Sequence, residues 1–316
     1  MIQVTLIAGG VGGAKMAEGF AALDDVDLTI IGNVADDEEF HGLWVSPDID
    51  TMLYTLSGRI NRDQGWGVAD EGRRALDTLE ELGVDTWMFL GDRDFGLHIY
   101  RTERLRRGDA PSAITRDIAE RFGVPARLLL PTDDRVQTRV RTADGWLTFQ
   151  EYFVRERCAP EVKALHYEGI EDAQPNTEAI GALLGADLIV IAPSNPLVSI
   201  EPIIGIAGIR ENIRRASAPV MAVSPIIAGK VVKGPADRMM TSQGLRADAV
   251  GVAAYYVDLA DGILIDSADQ SLSGEISALG LRAHVADIMM PDAQEKARLA
   301  GEILDLFRQK ESGRAA

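Results

Sequence analysis

Short unbroken runs of apolar residues, separated by stretches with helical spacing, make up most of this chain. Residues 4–8 (VTLIA), 28–32 (LTIIG), 86–90 (TWMFL), 188–192 (LIVIA), 220–223 (VMAV) and 263–265 (ILI) are brief, apolar and partly β-branched, and most run into Gly, Pro, Ser or Asp. Strands that are apolar along their whole length are buried on both faces, so the pattern predicts a mostly parallel sheet with helices on either side. Such a sheet binds ligands beyond its carboxyl edge. One stretch breaks the alternation. Residues 136–154 alternate with period two on both sides of Ala143-Asp144-Gly145, and Asp-Gly is a strong hairpin signal. With the helical pattern of 101–122 before it, this predicts an accessory insertion at 96–159, set into a core made of 1–95 and 160–316.

Charge narrows the function. The 316 residues carry 32 Lys and Arg against 49 Asp and Glu, a formal charge of −17. Nucleic acids are held by clustered cations, and so are anionic lipid surfaces, so neither is an expected partner. The acids are unevenly spread. Between Met16 and Gly58 stand Glu18, Asp24, Asp25, Asp27, Asp36, Asp37, Glu38, Glu39, Asp48 and Asp50, with no Lys or Arg among them. The remaining composition, 46% hydrophobic and 26% charged, is that of a folded domain. No apolar run approaches the ~18 residues of a membrane span and the start has no signal-peptide pattern, so a cytoplasmic location is expected. The single cysteine, Cys158, excludes an internal disulfide framework and a Cys-rich metal site, and reads as a buried bystander. The four histidines show no metal-ligand spacing, and there is no G-x-S-x-G nucleophile elbow.

The first strand-to-helix turn reads Gly9-Gly10-Val11-Gly12-Gly13-Ala14-Lys15. Glycines there let the backbone approach an anion and aim amides at phosphate oxygens. The turn lacks the Gly-Lys-Ser/Thr ending of a P-loop, and Lys15 stands where the third glycine of a dinucleotide fingerprint belongs. The second strand ends at Gly32-Asn33, without the acid that holds a ribose, so an NAD(P)-dependent oxidoreductase is disfavoured.

Asp36 and Asp37 follow that strand, and Ser46-Pro47-Asp48-Ile49-Asp50-Thr51 opens a helix with Ser46 as its N-cap and Pro47 at its first position. Helix capping alone explains Asp48 but not Asp50 or the pair before it. Carboxylates beside a phosphate-cradling turn repel a phosphorylated ligand unless a cation such as Mg²⁺ stands between them. Gly91-Asp92-Arg93-Asp94 reads either as a salt-bridged turn or as a fork for an anion or a hydroxyl-rich substrate, and His98 lies close enough to line the same pocket. Pro193-Ser194-Asn195-Pro196 and Ser224-Pro225-Ile226 end two further strands on the same edge.

Taken in order, the glycine turn with Lys15, Asn33-x-x-Asp36-Asp37, His41-Gly42, Ser46-Pro47-Asp48-x-Asp50-Thr51, Gly91-Asp92-Arg93-Asp94, Pro193-Ser194-Asn195-Pro196 and Ser224-Pro225-Ile226 resemble the CofD family, the 2-phospho-L-lactate transferases of coenzyme F420 biosynthesis. The resemblance runs from about Ile2 to beyond Pro291. It implies a Rossmann-like three-layer α/β/α fold with a smaller α+β insertion. It also implies transfer of the phospho-acid part of a guanosine diphospho-linked three-carbon acid, lactyl or enolpyruvyl, onto the terminal ribityl hydroxyl of the deazaflavin Fo, with release of GMP. Mg²⁺ is then the expected ion and a homodimer the expected assembly.

Carried over by position, Asp50, Arg93, Asp92 and His98 are expected to meet Fo. Gly9, Gly10, Gly12, Gly13, Lys15, Asn33, Ser194, Asn195 and Ser224 are expected to hold the guanosine diphosphate part, and Asp36, Asp48 and Asp50 the metal. Asp50 and Asp48 are the catalytic pair, with Asp50 placed to take the proton of the attacking hydroxyl, and Lys230 and Lys233 are placed to meet the carboxylate of the acid. A sugar-nucleotide-binding regulator of the YvcK type is the alternative, although a regulator needs no site for Fo.

Overall fold

A computed structural model of the chain describes residues 1–314, with side chains to residue 309. Its centre is a sheet of seven strands: β1 (Ile2–Ala8), β2 (Val26–Gly32), β3 (Arg127–Leu129), β4 (Leu188–Ile191), β5 (Val220–Val223), β6 (Gly262–Asp266) and β7 (Arg282–Ala286). They lie in the order β7-β6-β5-β4-β1-β2-β3, and every neighbouring pair is parallel. Alternate side chains of each inner strand enter opposite cores. Leu6, Ile30, Leu188 and Val190 pack on one face, while Ile7, Ile31, Ile189 and Ile191 pack on the other. Period two with both faces buried is why these strands read as unbroken apolar runs.

The helices α1 (Gly10–Ala21), α2 (Pro47–Leu56), α3 (Asp92–Arg106), α4 (Pro111–Phe122) and α5 (Ala293–Arg314) include those that cover the first core. Among the described residues no helix is long and apolar enough to cross a membrane.

Three expectations are corrected. Residues 86–90 form no strand. Leu90 instead joins Phe40 and Val45, with Trp87, Met88 and Phe95 against them, in a small apolar cluster of its own. The strands that escaped the sequence pattern, β3 and β7, are the two edges of the sheet. An edge strand needs no continuous apolar run, and β7 (RAHVA) carries Arg and His in it.

The insertion boundaries also move. Helix α4 and strand β3 fall within 96–159 yet belong to the core. The hairpin forms where the Asp-Gly signal put it, between Gln137–Thr142 and Gly145–Thr148, but its third partner, Ala164–Glu168, lies beyond residue 159. Residues Glu151–Arg155, read as strand, form a helical turn. This small sheet supports the loop after β2: Thr138 N donates to Ala35 O at 2.8 Å, Gln137 Nε2 to Asp37 O at 2.8 Å and Gln150 Nε2 to Asp36 O at 3.3 Å.

Candidate active site

In a sheet of this order the connections leave β1 in opposite directions, and the crevice between the carboxyl ends of β1 and β4 is where a ligand enters. Gly9 ends β1 there and Ser194 follows β4. Ser194 Oγ donates to Gly9 O at 2.7 Å and accepts from Gly9 N at 3.2 Å. The glycines of the turn are needed for close packing within the chain. A Cβ on Gly12 would lie 2.4 Å from Pro193 O, and one on Gly9 would lie 2.6 Å from Asp48 Oδ2.

Asn33, at the end of β2, is wholly buried and engaged. Its amide donates to Asp48 Oδ2 at 3.0 Å and Val198 O at 3.2 Å, and its carbonyl oxygen accepts from Ala35 N at 3.0 Å. Asn195 caps Leu197 N at 3.0 Å, and Ser224 closes a turn with both polar atoms of Ile226. These side chains shape the carboxyl edge, and the backbone of the glycine turn borders the same crevice. Gly10 and Gly13 lie in the first turn of α1, and Lys15 stands half-buried farther along it.

Asp36, Asp37, Asp48 and Asp50 are brought together, all buried. The loop after β2 supplies the first pair and the first turn of α2 the second. His41 and Gly42, both with positive φ, make the hairpin turn that leads the chain from one pair to the other. Ser46 precedes α2 as expected but does not cap it through its side chain. Its hydroxyl donates to Asp37 Oδ2 at 2.7 Å.

Asp50 is gripped by Arg101 from α3, a residue that the sequence reading did not single out. Arg101 NH1 donates to Asp50 Oδ2 at 3.1 Å and NH2 to Asp50 Oδ1. NH1 also donates to His98 Nδ1 at 3.3 Å, which makes that nitrogen the acceptor. Burial holds the His98 ring down at about 4, Asp50 opposing and Arg101 assisting, so the imidazole is neutral near pH 7.

The other three carboxyls have no such cation gripping them. Burial raises Asp36 well above the usual range, and Asp48 and Asp37 add repulsion. Burial pushes Asp37 up to about 8 and Asp48 to about 6, against hydrogen bonds from Ser46 and Asn33 respectively. Asp36 Oδ1 and Asp37 Oδ1 are buried without a partner. Among the described residues no three His, Cys, Asp or Glu side chains form a ready-made metal cage. Hard oxygens with unpaired buried atoms nonetheless suit Mg²⁺, which commonly takes one or two carboxylates and completes its shell with water and substrate phosphate.

Gly91-Asp92-Arg93-Asp94 is the start of α3 rather than a loop after a strand. Glu71 accepts from the amides of Arg93 at 2.8 Å and Asp94 at 3.0 Å. Asp92 turns away to accept from Ala75 N at 3.1 Å, whereas Asp94 is buried and accepts from Tyr54 OH at 2.7 Å. Arg93 bonds Ala69 O at 3.0 Å and borders a cleft of about 460 Å³, with Tyr54, Leu97 and Phe122 among its walls. Of the four residues expected to meet Fo, Asp50 of α2 and His98 of α3 are therefore together, and Arg93 and Asp92 stand ahead of His98 at the start of α3.

The family profile described as 2-phospho-L-lactate transferase CofD matches residues 4–299. The chain belongs to the CofD family. This CofD chain is 41% identical to a phosphoenolpyruvate transferase of Streptomyces griseus over 312 residues, which cover 96% of it and 98% of the relative. It is 38% identical to a 2-phospho-L-lactate transferase of Methanopyrus kandleri, covering 98% of each. The crystal structure of a UPF0052 family protein from Bacillus halodurans shares the fold, with a TM-score of 0.63 at 17% identity over 96% of this chain and 100% of the other. This CofD-family protein is thus an α/β enzyme, a transferase.

Proposed function

We propose that the enzyme transfers the phospho-acid part of a guanosine diphospho-linked three-carbon acid, 2-phospho-L-lactate or enolpyruvyl phosphate, to the terminal ribityl hydroxyl of Fo, with release of GMP. One observation carries this reading: three buried carboxyls without a gripping cation lie at the switch point of a chain that matches phospho-acid transferases over 96% of its length. An anionic substrate meets that site only if a cation stands between them. Asp36 and Asp48 would hold Mg²⁺, which when bound neutralises charge on the transferring phosphate.

The chain's own groups do the positioning. The turn after Gly9 faces the diphosphate with backbone amides. Asp50, its oxygens fixed by Arg101, orients the attacking hydroxyl rather than serving as the proton acceptor read from the sequence. Phosphoryl transfer asks for little covalent chemistry from a protein, so in-line placement and charge neutralisation supply most of the rate. Incubation with Fo, Mg²⁺ and each guanylated acid, followed by mass spectrometry, tests the assignment. An Fo conjugate with one acid, abolished by chelation, is the expected product; no conjugate with any acid refutes it.

A further inference from the structure

The loop after β4 runs into a wide helical turn, Pro196–Ile200, in which the amides of Ile200 and Glu201 reach back five residues, to Asn195 O at 3.1 Å and to Pro196 O. Turns of this width are rare and frequent at functional sites. Here the width strands two carbonyls. Glu201 N, which a tighter turn would give to Leu197 O, goes to Pro196 O instead. Residue 202 is proline, with no N–H to return to Val198 O four residues back or to Leu197 O five back. Leu197 and Val198 are buried, so both oxygens need donors from elsewhere.

Side chains supply them. Tyr167 OH donates to Leu197 O, and Asn33 Nδ2 donates to Val198 O at 3.2 Å while it also holds Asp48 Oδ2 at 3.0 Å. Tyr167 stands on the third strand of the small sheet, opposite Thr138, and Thr138 N donates to Ala35 O at 2.8 Å. Ala35 N in turn donates to Asn33 Oδ1 at 3.0 Å. These contacts close a ring, from Asn33 through Ala35, Thr138, Tyr167 and residues 197–198 back to Asn33. Both ends of the Asn33 amide are set by it, so the end that meets Asp48 turns only if a bond of the ring breaks. Burial, with the charges of Glu201 and Asp36 adding to it, raises the Tyr167 hydroxyl, which keeps its proton and remains a donor.

We propose that Tyr167 is a positioning residue for the acidic site: it pins the 196–200 turn to the small sheet, so that Val198 O fixes the Asn33 amide and, through it, the Asp48 carboxylate that receives a divalent cation. This rests on the reading that Asp48 holds Mg²⁺. Without the hydroxyl, Leu197 O is a buried acceptor short of its partner, and the turn is free to draw Val198 O away from Asn33.

Titration of the full chain with Mn²⁺, which favours the same oxygen ligands as Mg²⁺, followed by electron paramagnetic resonance, tests this without turnover. Tyr167→Phe should bind Mn²⁺ about tenfold more weakly than the wild type, the lower end of the loss from removing a hydrogen bond behind a metal ligand. Asn33→Ala should lose at least as much, and the double variant no more than Asn33→Ala alone, because residues of one network do not act additively. A role confined to packing gives a different result, a lower melting temperature in Tyr167→Phe with Mn²⁺ affinity intact. Wild-type affinity in Tyr167→Phe, or losses that add in the double variant, overturns the inference while the metal reading stands. A wild type that binds no Mn²⁺, or an Asp48→Asn variant that binds it as tightly, overturns the metal reading and the inference with it.

Discussion

Asp48 and Asp50 stand two residues apart in the first turn of one helix and meet opposite electrostatic surroundings. At about 100° per residue their side chains leave α2 some 200° apart. Asp50 therefore meets Arg101 and neutral His98, while Asp48 meets Asn33, the glycine turn and Asp36. One side of the acidic floor is a closed ion pair. The other is a set of carboxyls whose ionisation burial opposes, Asp48 least and Asp36 and Asp37 more. The split leaves one carboxylate fixed by a cation while its neighbours stay available.

Removing the cation from the closed side should do the most damage. Arg101→Met leaves Asp50 buried and unpaired, which costs about 3–5 kcal/mol of stability. Denaturant titration measures this, and Asp50→Asn in the same chain should recover part of the loss. Single and double variants of equal stability would show that the two residues are not coupled.

On the open side the same kind of change should separate stability from activity. Asp36→Asn and Asp48→Asn each remove a carboxyl from a repelling group, so the magnesium-free protein should be no less stable than the wild type. Turnover with Mg²⁺ should fall about 100-fold or more, since several kcal/mol of phosphate charge stabilisation go with the ion. A variant that loses stability and keeps its turnover would merge the two sides.

The pH response distinguishes them again. Folded Asp48 and Asp37 hold protons to about 6 and 8, whereas an unfolded Asp loses its proton near 3.9. The folded chain then binds more protons than the unfolded one, so this contribution is complete below about pH 4 and is lost as pH rises through 6 to 8, at up to about 1.4 kcal/mol per unit for each group. In chelator, the melting temperature of the wild type should fall from pH 5.5 to 8.5 by more than that of Asp37→Asn, and Mg²⁺ should restore more at pH 8.5. Equal slopes would place Asp37 in solvent.

The inner strands were legible because residues such as Leu6 and Ile7 are both buried, on opposite faces. The edges β3 and β7 were not, since one is three residues long and the other mixes Arg and His into its run. In the site, the carboxylates and glycines stood out by motif. Arg101 did not: α3 also carries Arg93, Arg104 and Arg106, and only packing shows which one turns inward. Its signal was its place three residues after His98 and seven after Asp94, the spacing of a single helix face.

The smallest effect is expected where the closed side meets the wall of the Arg93 cleft. Tyr54 OH donates to Asp94 Oδ1 at 2.7 Å, and the Asp94 carboxyl is raised to about 6, burial first, then Asp50 and Glu71, against that hydrogen bond. Tyr54→Phe removes the donor and leaves a buried acceptor short of a partner, a loss of about 1 kcal/mol. Asp94 then holds its proton to a higher pH, so its neighbour Asp50 keeps its grip on Arg101 and turnover should stay within about threefold. Thermal melting and steady-state rates check the two halves of this expectation. A stability loss of that size accompanied by a rate loss as large as that of Asp48→Asn would mean that the Tyr54–Asp94 bond acts on the reacting groups, and that the closed side extends to the cleft wall.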